Sequence, residues 1–167
     1  RTLHRGGTRL VLTGRRLEVL QPLADELGAQ AIAVDLSDRA DLHRLIAACT
    51  DVDVVVANAA LPASGPLTSF SEEEIDRAME VNLQAPMILA RRLVPGMLER
   101  GRGHFVFVSS MAGKSGTPGS SVYSASKFGL RGFSQGLRGD LHDTGVSASV
   151  VFPGFVRDAG MFADTNI

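Results

Sequence analysis

His104-Phe-Val-Phe-Val-Ser-Ser-Met-Ala-Gly-Lys-Ser-Gly-Thr-Pro-Gly-Ser-Ser-Val-Tyr-Ser-Ala-Ser-Lys127 is the stretch from which the rest of the chain can be read. Its apolar opening, His104–Val108, reads as a strand. A loop rich in glycine and hydroxyl groups follows, and then a helical pattern from Ser121 to His142. Within it Ser110, Tyr123 and Lys127 stand out, because the chain has a single Tyr and its only lysines are Lys114 and Lys127. On a helix, positions i and i+4 share a face, so the Lys127 ammonium is expected beside the Tyr123 phenol. A cation there favours phenolate and is expected to lower the Tyr pKa from about 10 toward working pH. A phenol tuned in this way gives or takes a proton at an alcohol or carbonyl oxygen. Ser110 would donate a hydrogen bond to that same oxygen. Tyr and Lys at this spacing also occur as plain surface pairs, so the rest of the chain must decide.

Outward from that stretch, strands alternate with helices. Thr8–Thr13, Ala31–Val34, Val52–Ala57 and Ser147–Val151 join His104–Val108 as expected strands, and the nearly all-apolar Val52–Ala57 reads as buried on both faces. Leu17, Leu20, Leu23 and Leu27 mark one helical face that stops at Gly28. Ser37 reads as the N-cap of a helix carrying Leu42, Leu45 and Ile46. Ser71-Glu-Glu-Glu reads as a capping box opening a long helix to about Glu99, bent at Pro86 and Pro95. Small residues at Gly129, Gly132, Gly136 and Gly139 weaken the Ser121–His142 helix by propensity and suggest close packing against a neighbour. Arg1–Gly7 reads as the last turn of a helix.

This alternation predicts an α/β fold with a doubly wound, Rossmann-like parallel sheet in one domain over residues 1–167. Ligands of such sheets lie at the C-terminal strand ends. Here those ends carry Gly14-Arg15-Arg16, Asp35-Leu36, Asn58-Ala59-Ala60, Ser109-Ser110 and Pro153-Gly154. The convergence of polar and turn-forming residues there favours the chemical reading of Tyr123 and Lys127.

Composition narrows the field. A net charge of −1 gives no reason to expect nucleic acid or an anionic membrane as partner. Apolar runs are too short to cross a bilayer. The lone Cys49 excludes an internal disulfide and fits a reducing, cytoplasmic setting. No metal site is assigned.

Taken in order, these motifs resemble the short-chain dehydrogenase/reductase family, in its single-domain branch. Asp35-Leu36 resembles the acidic-plus-apolar pair that touches adenine. Ala57-Asn58-Ala59-Ala60 is similar to the family's Asn-Asn-Ala-Gly turn, matching at Asn58 and Ala59. Asn82 stands where the family's Asn supports a water in a proton relay to the catalytic Lys. Ser110, Tyr123 and Lys127 match the catalytic Ser and Tyr-x-x-x-Lys in order and spacing, and Pro153-Gly-Phe-Val156 matches the Pro-Gly turn at the nicotinamide. Asp158 departs from the Thr often found there. The family's first strand with its glycine-rich turn would precede Arg1, and its last helix and strand would follow Ile167. The expectation is therefore of a partial domain, with a sheet interrupted between the Thr8 and Val52 strands.

The resemblance implies an oxidoreductase that interconverts a carbonyl and a secondary alcohol by hydride transfer. Asn82, Ser110, Tyr123 and Lys127 would form its catalytic centre. Cofactor contacts would come from Arg15, Asp35, Leu36, Asn58, Ala59, Tyr123, Lys127, Pro153, Gly154 and Val156. Relatives that use NAD tend to end the second strand with a carboxylate. Gly14 stands there, followed by Arg15, which suits a 2′-phosphate, so NADP(H) is expected over NAD(H). The apolar residues around Met111–Val122, with Phe155, Met161 and Phe162, imply an apolar small-molecule substrate. The family's usual pairing implies a homodimer or homotetramer through helices 71–99 and 121–142. Two other readings stand beside this one: a non-catalytic binding or scaffold protein that kept the fold, and an inactive fragment.

Overall fold

The computed structural model describes residues 1–154, which form two compact units, one over Arg1–Thr50 and one from Asp51 onward. The first unit holds α1 (Thr2–Arg5), β1 (Val11–Gly14), α2 (Leu17–Leu27), β2 (Gln30–Ala33) and α3 (Arg39–Ala48). The two strands pair in parallel, from Val11 opposite Gln30 to Gly14 opposite Ala33. Ala24 and Leu27 of α2 are buried, as are Ile32, Val34, Leu42, Leu45 and Ile46. Of the expected leucine face, Leu27 is buried and Leu20 and Leu23 are half-buried, while Leu17 in the first turn is exposed.

The cap of α3 differs from expectation. Asp38, not Ser37, accepts the first free N–H groups, from Ala40 at 2.7 Å and Asp41 at 3.1 Å. Ser37 is drawn back into the preceding turn, where its N–H and hydroxyl both donate to Asp35 Oδ1, at 2.9 and 2.6 Å. A short hydroxyl loses the capping position when a carboxylate stands one residue closer to the helix.

The second unit holds β3 (Val54–Ala57), α4 (Glu72–Met79), α5 (Ala85–Arg100), β4 (Gly103–Val108), α6 (Ser121–Asp140) and β5 (Val146–Val151). Its sheet is parallel in the order β3-β4-β5. The helical crossovers supply the reach that parallel pairing needs. Central β4 carries the core: Phe105 and Phe107 are wholly buried, and the Phe107 ring meets Phe133 of α6 edge-on at 5.5 Å. Among the described residues β1-β2 and β3-β4-β5 are separate ladders, consistent with a break in pairing between the Thr8 and Val52 strands. The expectation that Val52–Ala57 is buried on both faces is not met. Val54 and Val56 are about half exposed, because β3 is the edge of its sheet and one face is uncovered within its unit.

The long helix expected over 71–99 also differs. It is interrupted by a π-helical segment, Glu80–Gln84. Pro86 has no N–H to return to the Asn82 carbonyl four residues back, and the ladder widens there: the Ala85 N–H bonds to the Glu80 carbonyl instead. Of the four glycines on α6, Gly129 alone serves close packing. A Cβ there would stand 2.8 Å from Leu83 Cδ2 in the π segment, whereas Gly132, Gly136 and Gly139 face open space.

The expected capping box is formed: Ser71 accepts from the Glu74 N–H at 3.2 Å and Glu74 accepts from the Ser71 N–H at 2.9 Å. Ser71→Ala should cost about 1 kcal/mol, read as a lowered urea midpoint with an unchanged slope; an unaltered midpoint would count against the cap.

Candidate active site

Of the expected site residues, Lys127 is anchored at the C-terminal end of β4. Lys127 is 2% exposed, and its Nζ donates to the carbonyl of Val108, the last residue of β4, at 2.9 Å. Its own carbonyl accepts from the Ser109 hydroxyl at 3.0 Å. Lys127 is thus tied to this strand end by both side chain and backbone. That approach is possible because Gly113 has no side chain: a Cβ there would overlap Ser109 Oγ and stand 2.8 Å from the Lys127 carbonyl. Burial lowers the Lys127 ammonium from 10.5 to about 8.

Ser110 is extended and opens the 3-10 turn Met111–Gly113, accepting from the Ala112 N–H at 3.1 Å. Tyr123 is buried in the first turn of α6. The expectation that Lys127 lowers the Tyr123 pKa is not met. Burial pushes the phenol above its ordinary 10.0, and a hydrogen bond with the Ser110 side chain only partly offsets this. Lys127 Nζ stands 5.6 Å from the ring centre and is directed to Val108.

Asn82 lies within the π segment and is 1% exposed. Its Oδ1 accepts from the Leu61 N–H at 2.7 Å, and its Nδ2 donates to the Leu61 carbonyl at 3.0 Å and to Ser126 Oγ at 3.2 Å. It therefore clamps the loop after β3, a loop that opens with the exposed Asn58 and Ala59. Pro153 is placed by its carbonyl, which accepts from the Met111 N–H at 3.1 Å. The preceding ring, Phe152, has Lys114 Nζ at 4.5 Å and the Arg131 guanidinium at 5.9 Å. Gly154 follows and is exposed.

In the first unit, Arg15 is exposed just after β1. Asp35 and Leu36 are half-buried after β2, with the Asp35 N–H donating to Asp41 Oδ2 at 2.9 Å. Val156, Asp158, Phe155, Met161 and Phe162 lie outside the described residues. Sequence reasoning did not single out Ser109 or Ser126, both fully buried and both bonded to the backbone of the Tyr123–Lys127 turn. The available signal was weak: two serines adjacent to the conspicuous residues, indistinguishable from the other hydroxyls of that stretch.

The short chain dehydrogenase family model matches residues 1–166. Among curated proteins, the chain is 40% identical over 146 residues to the ketoacyl reductase HetN of Nostoc, covering 84% of this chain and 51% of that protein. It is 37% identical over 157 residues to the NADP-dependent 3-hydroxy acid dehydrogenase YdfG of Salmonella typhi, covering 90% and 63%. Among solved structures it resembles a short-chain dehydrogenase from Sphingobium yanoikuyae in complex with NADPH, with a TM-score of 0.85 and 30% identity over 93% of this chain and 64% of that one. The chain belongs to the short chain dehydrogenase family. It spans between about half and two thirds of the length of these relatives.

Two outcomes follow from the packing. Gly113→Ala forces the Ser110 turn away from α6 and should cost about 1–3 kcal/mol by overpacking, read in thermal melts; an unchanged melt would contradict the close approach. For Lys127, the burial penalty is complete below about pH 8, where both folded and unfolded chains carry the proton. Between about 8 and the ordinary 10.5, the unfolded chain holds a proton that the folded chain has lost, so stability toward urea rises with pH. Lys127→Met should flatten that rise relative to the wild type.

Proposed function

We propose that this protein is an NADP(H)-dependent oxidoreductase that interconverts a carbonyl and a secondary alcohol. Residues 1–167 would act as one dinucleotide-binding and catalytic domain. The observation that carries the reading is the buried Tyr123 phenol, hydrogen-bonded to Ser110, with the Lys127 ammonium 5.6 Å from its ring at the end of β4. The names of HetN and YdfG support it, since a ketoacyl group and a 3-hydroxy acid present a carbonyl and an alcohol carbon respectively.

The residues present fit a nicotinamide dinucleotide. The Lys127 ammonium has three N–H donors, and its hydrogen bond to Val108 engages one, leaving donors suited to a ribose diol. Gly14 brings no carboxylate to the end of β1, and among the described residues the exposed Arg15 makes no ion pair, which suits a 2′-phosphate. Asp35 and Leu36 would hold the adenine. Asn58, Ala59, Pro153, Gly154 and Val156 would contribute the remaining contacts. When bound, the nicotinamide supplies or accepts the hydride.

The protein's own part is proton transfer and positioning. With its pKa raised by burial, Tyr123 is neutral at pH 7 and suited to donate a proton to a developing alkoxide. Ser110 orients the carbonyl oxygen and stabilises its growing negative charge. Lys127, held on Val108, would hold the cofactor ribose beside the phenol, and Asn82 would support the return of a proton to this centre. The substrate reading remains a small, apolar carbonyl compound or alcohol, in a cytoplasmic setting. Among the described residues no helix is long and apolar enough to cross a membrane. Exposed Met87 and Leu98 on α5 and Phe128 on α6 support pairing through helices 71–99 and 121–142.

Tyr123→Phe should abolish carbonyl reduction while leaving NADPH affinity, measured by nicotinamide fluorescence, within about threefold; substantial residual turnover would refute the proton-donor role. Gly14→Asp combined with Arg15→Ala should swing the kcat/KM ratio toward NADH, and an unmoved ratio would count against the Arg15 assignment.

A further inference from the structure

Ser126 lies between Tyr123 and Lys127 and is wholly buried. A hydroxyl has one proton to give. Ser126 gives it to the Tyr123 carbonyl, at 2.7 Å. Toward Asn82 it therefore acts as an acceptor, and the Asn82 amide must present its NH2 side, which it does at 3.2 Å. The Leu61 backbone demands the same orientation of the amide. The second N–H reaches the Leu61 carbonyl at 3.0 Å and Oδ1 receives the Leu61 N–H at 2.7 Å. A flipped amide would set oxygen against both Ser126 and the Leu61 carbonyl, and NH2 against the Leu61 N–H. Oriented by Leu61 and Ser126 together, this amide ties three segments: the Tyr123 turn, the π segment and the loop after β3.

We propose that Ser126 is a positioning residue for Tyr123: its buried hydroxyl fixes the Tyr123 turn against Asn82 and, through that amide, against Leu61, so that the phenol meets Ser110. The proposal rests on the reading of Tyr123 as the proton-transferring group. Ser126 lies three residues after Tyr123 in α6 and acts through the Tyr123 backbone carbonyl. Alanine is the better helix former, so a loss in Ser126→Ala does not come from a weaker α6.

The test uses the phenolate absorbance of Tyr123, isolated as a difference against Tyr123→Phe, in wild type, Ser126→Ala, Ser126→Thr and Asn82→Ala. With Ser110 no longer well met, Ser126→Ala and Asn82→Ala should both raise the titration midpoint by about half a unit or more, and Ser126→Thr, which keeps the hydroxyl, should leave it near wild type. In turnover, Ser126→Ala should lower kcat about tenfold with KM little changed, and add little to Asn82→Ala in a double-mutant cycle. A wild-type midpoint and kcat in Ser126→Ala, or effects that add in full to those of Asn82→Ala, overturn the proposal. The titration needs no turnover. If Tyr123→Phe stays active, the catalytic reading fails while the titration still decides the positioning; if Tyr123→Phe is inactive and Ser126→Ala is unaltered, only the positioning fails.

Discussion

A buried ammonium held on a strand-end carbonyl governs the second unit of this protein. An ion taken from water at 2% exposure is tolerated only with hydrogen bonds to replace its hydration. The Val108 carbonyl supplies one for Lys127, and it can do so because it lies at the end of β4. The helix must then approach that end closely, which calls for small residues around it. Ser109 bonds the Lys127 carbonyl, and Gly113 leaves the space that a methyl group would occupy. The glycine and the serines of the loop thus follow from one charged side chain. They are read better as its packing than as flexible linker.

Burial acts on the two titratable groups in opposite senses. It raises the phenol of Tyr123 and lowers the ammonium of Lys127, in each case favouring the neutral form. The pair is therefore not a resting phenolate–ammonium couple. It is a neutral acid beside a cation whose charge is already costly, and the Ser110 hydrogen bond is what moves the phenol back toward ionisation. Under the proposed function, such a site would release a proton as negative charge develops on a neighbouring oxygen.

The alternation of strands and helices was legible because apolar periodicity records which face of each element is covered, and all five expected strands are present. Tyr123 and Lys127 were legible as odd choices, the only Tyr and one of two Lys, while Asn82 was reached through the family resemblance. Their partners were not. Asn82 bonds a backbone, that of Leu61, twenty-one residues away, and a backbone partner leaves no trace in side-chain identity. The widened helix over Glu80–Gln84 was hidden for a related reason: Pro86 announces a missing donor but not how the ladder will adjust. Asp38 displaced Ser37 as a cap because both residues suit that position and the preceding turn, not the helix, decided between them. Val54 and Val56 misled because an apolar run reports what a strand can bury, not which neighbours its own unit supplies.

Seven residues of α6 show how little of a helix is available for change once a site is built on it. Tyr123 reaches Ser110 beyond β4, Ser126 reaches Asn82, Lys127 reaches the last carbonyl of β4, and Gly129 receives Leu83 from the π segment. Residues 126 and 127 lie three and four positions after Tyr123, so these contacts share one side of the helix, while Gly129 extends the contact to the flank. The π segment is touched twice, at Asn82 by a hydroxyl and at Leu83 by the absence of a side chain. A regular α-helical ladder would rotate those two residues relative to α5, by about 100° for each residue of shift. Asn82 and Leu83 could not then meet Ser126 and Gly129 together. The widened turn is therefore part of how the amide is aimed, and the proline that permits it belongs to the site as much as the residues that bear its chemistry.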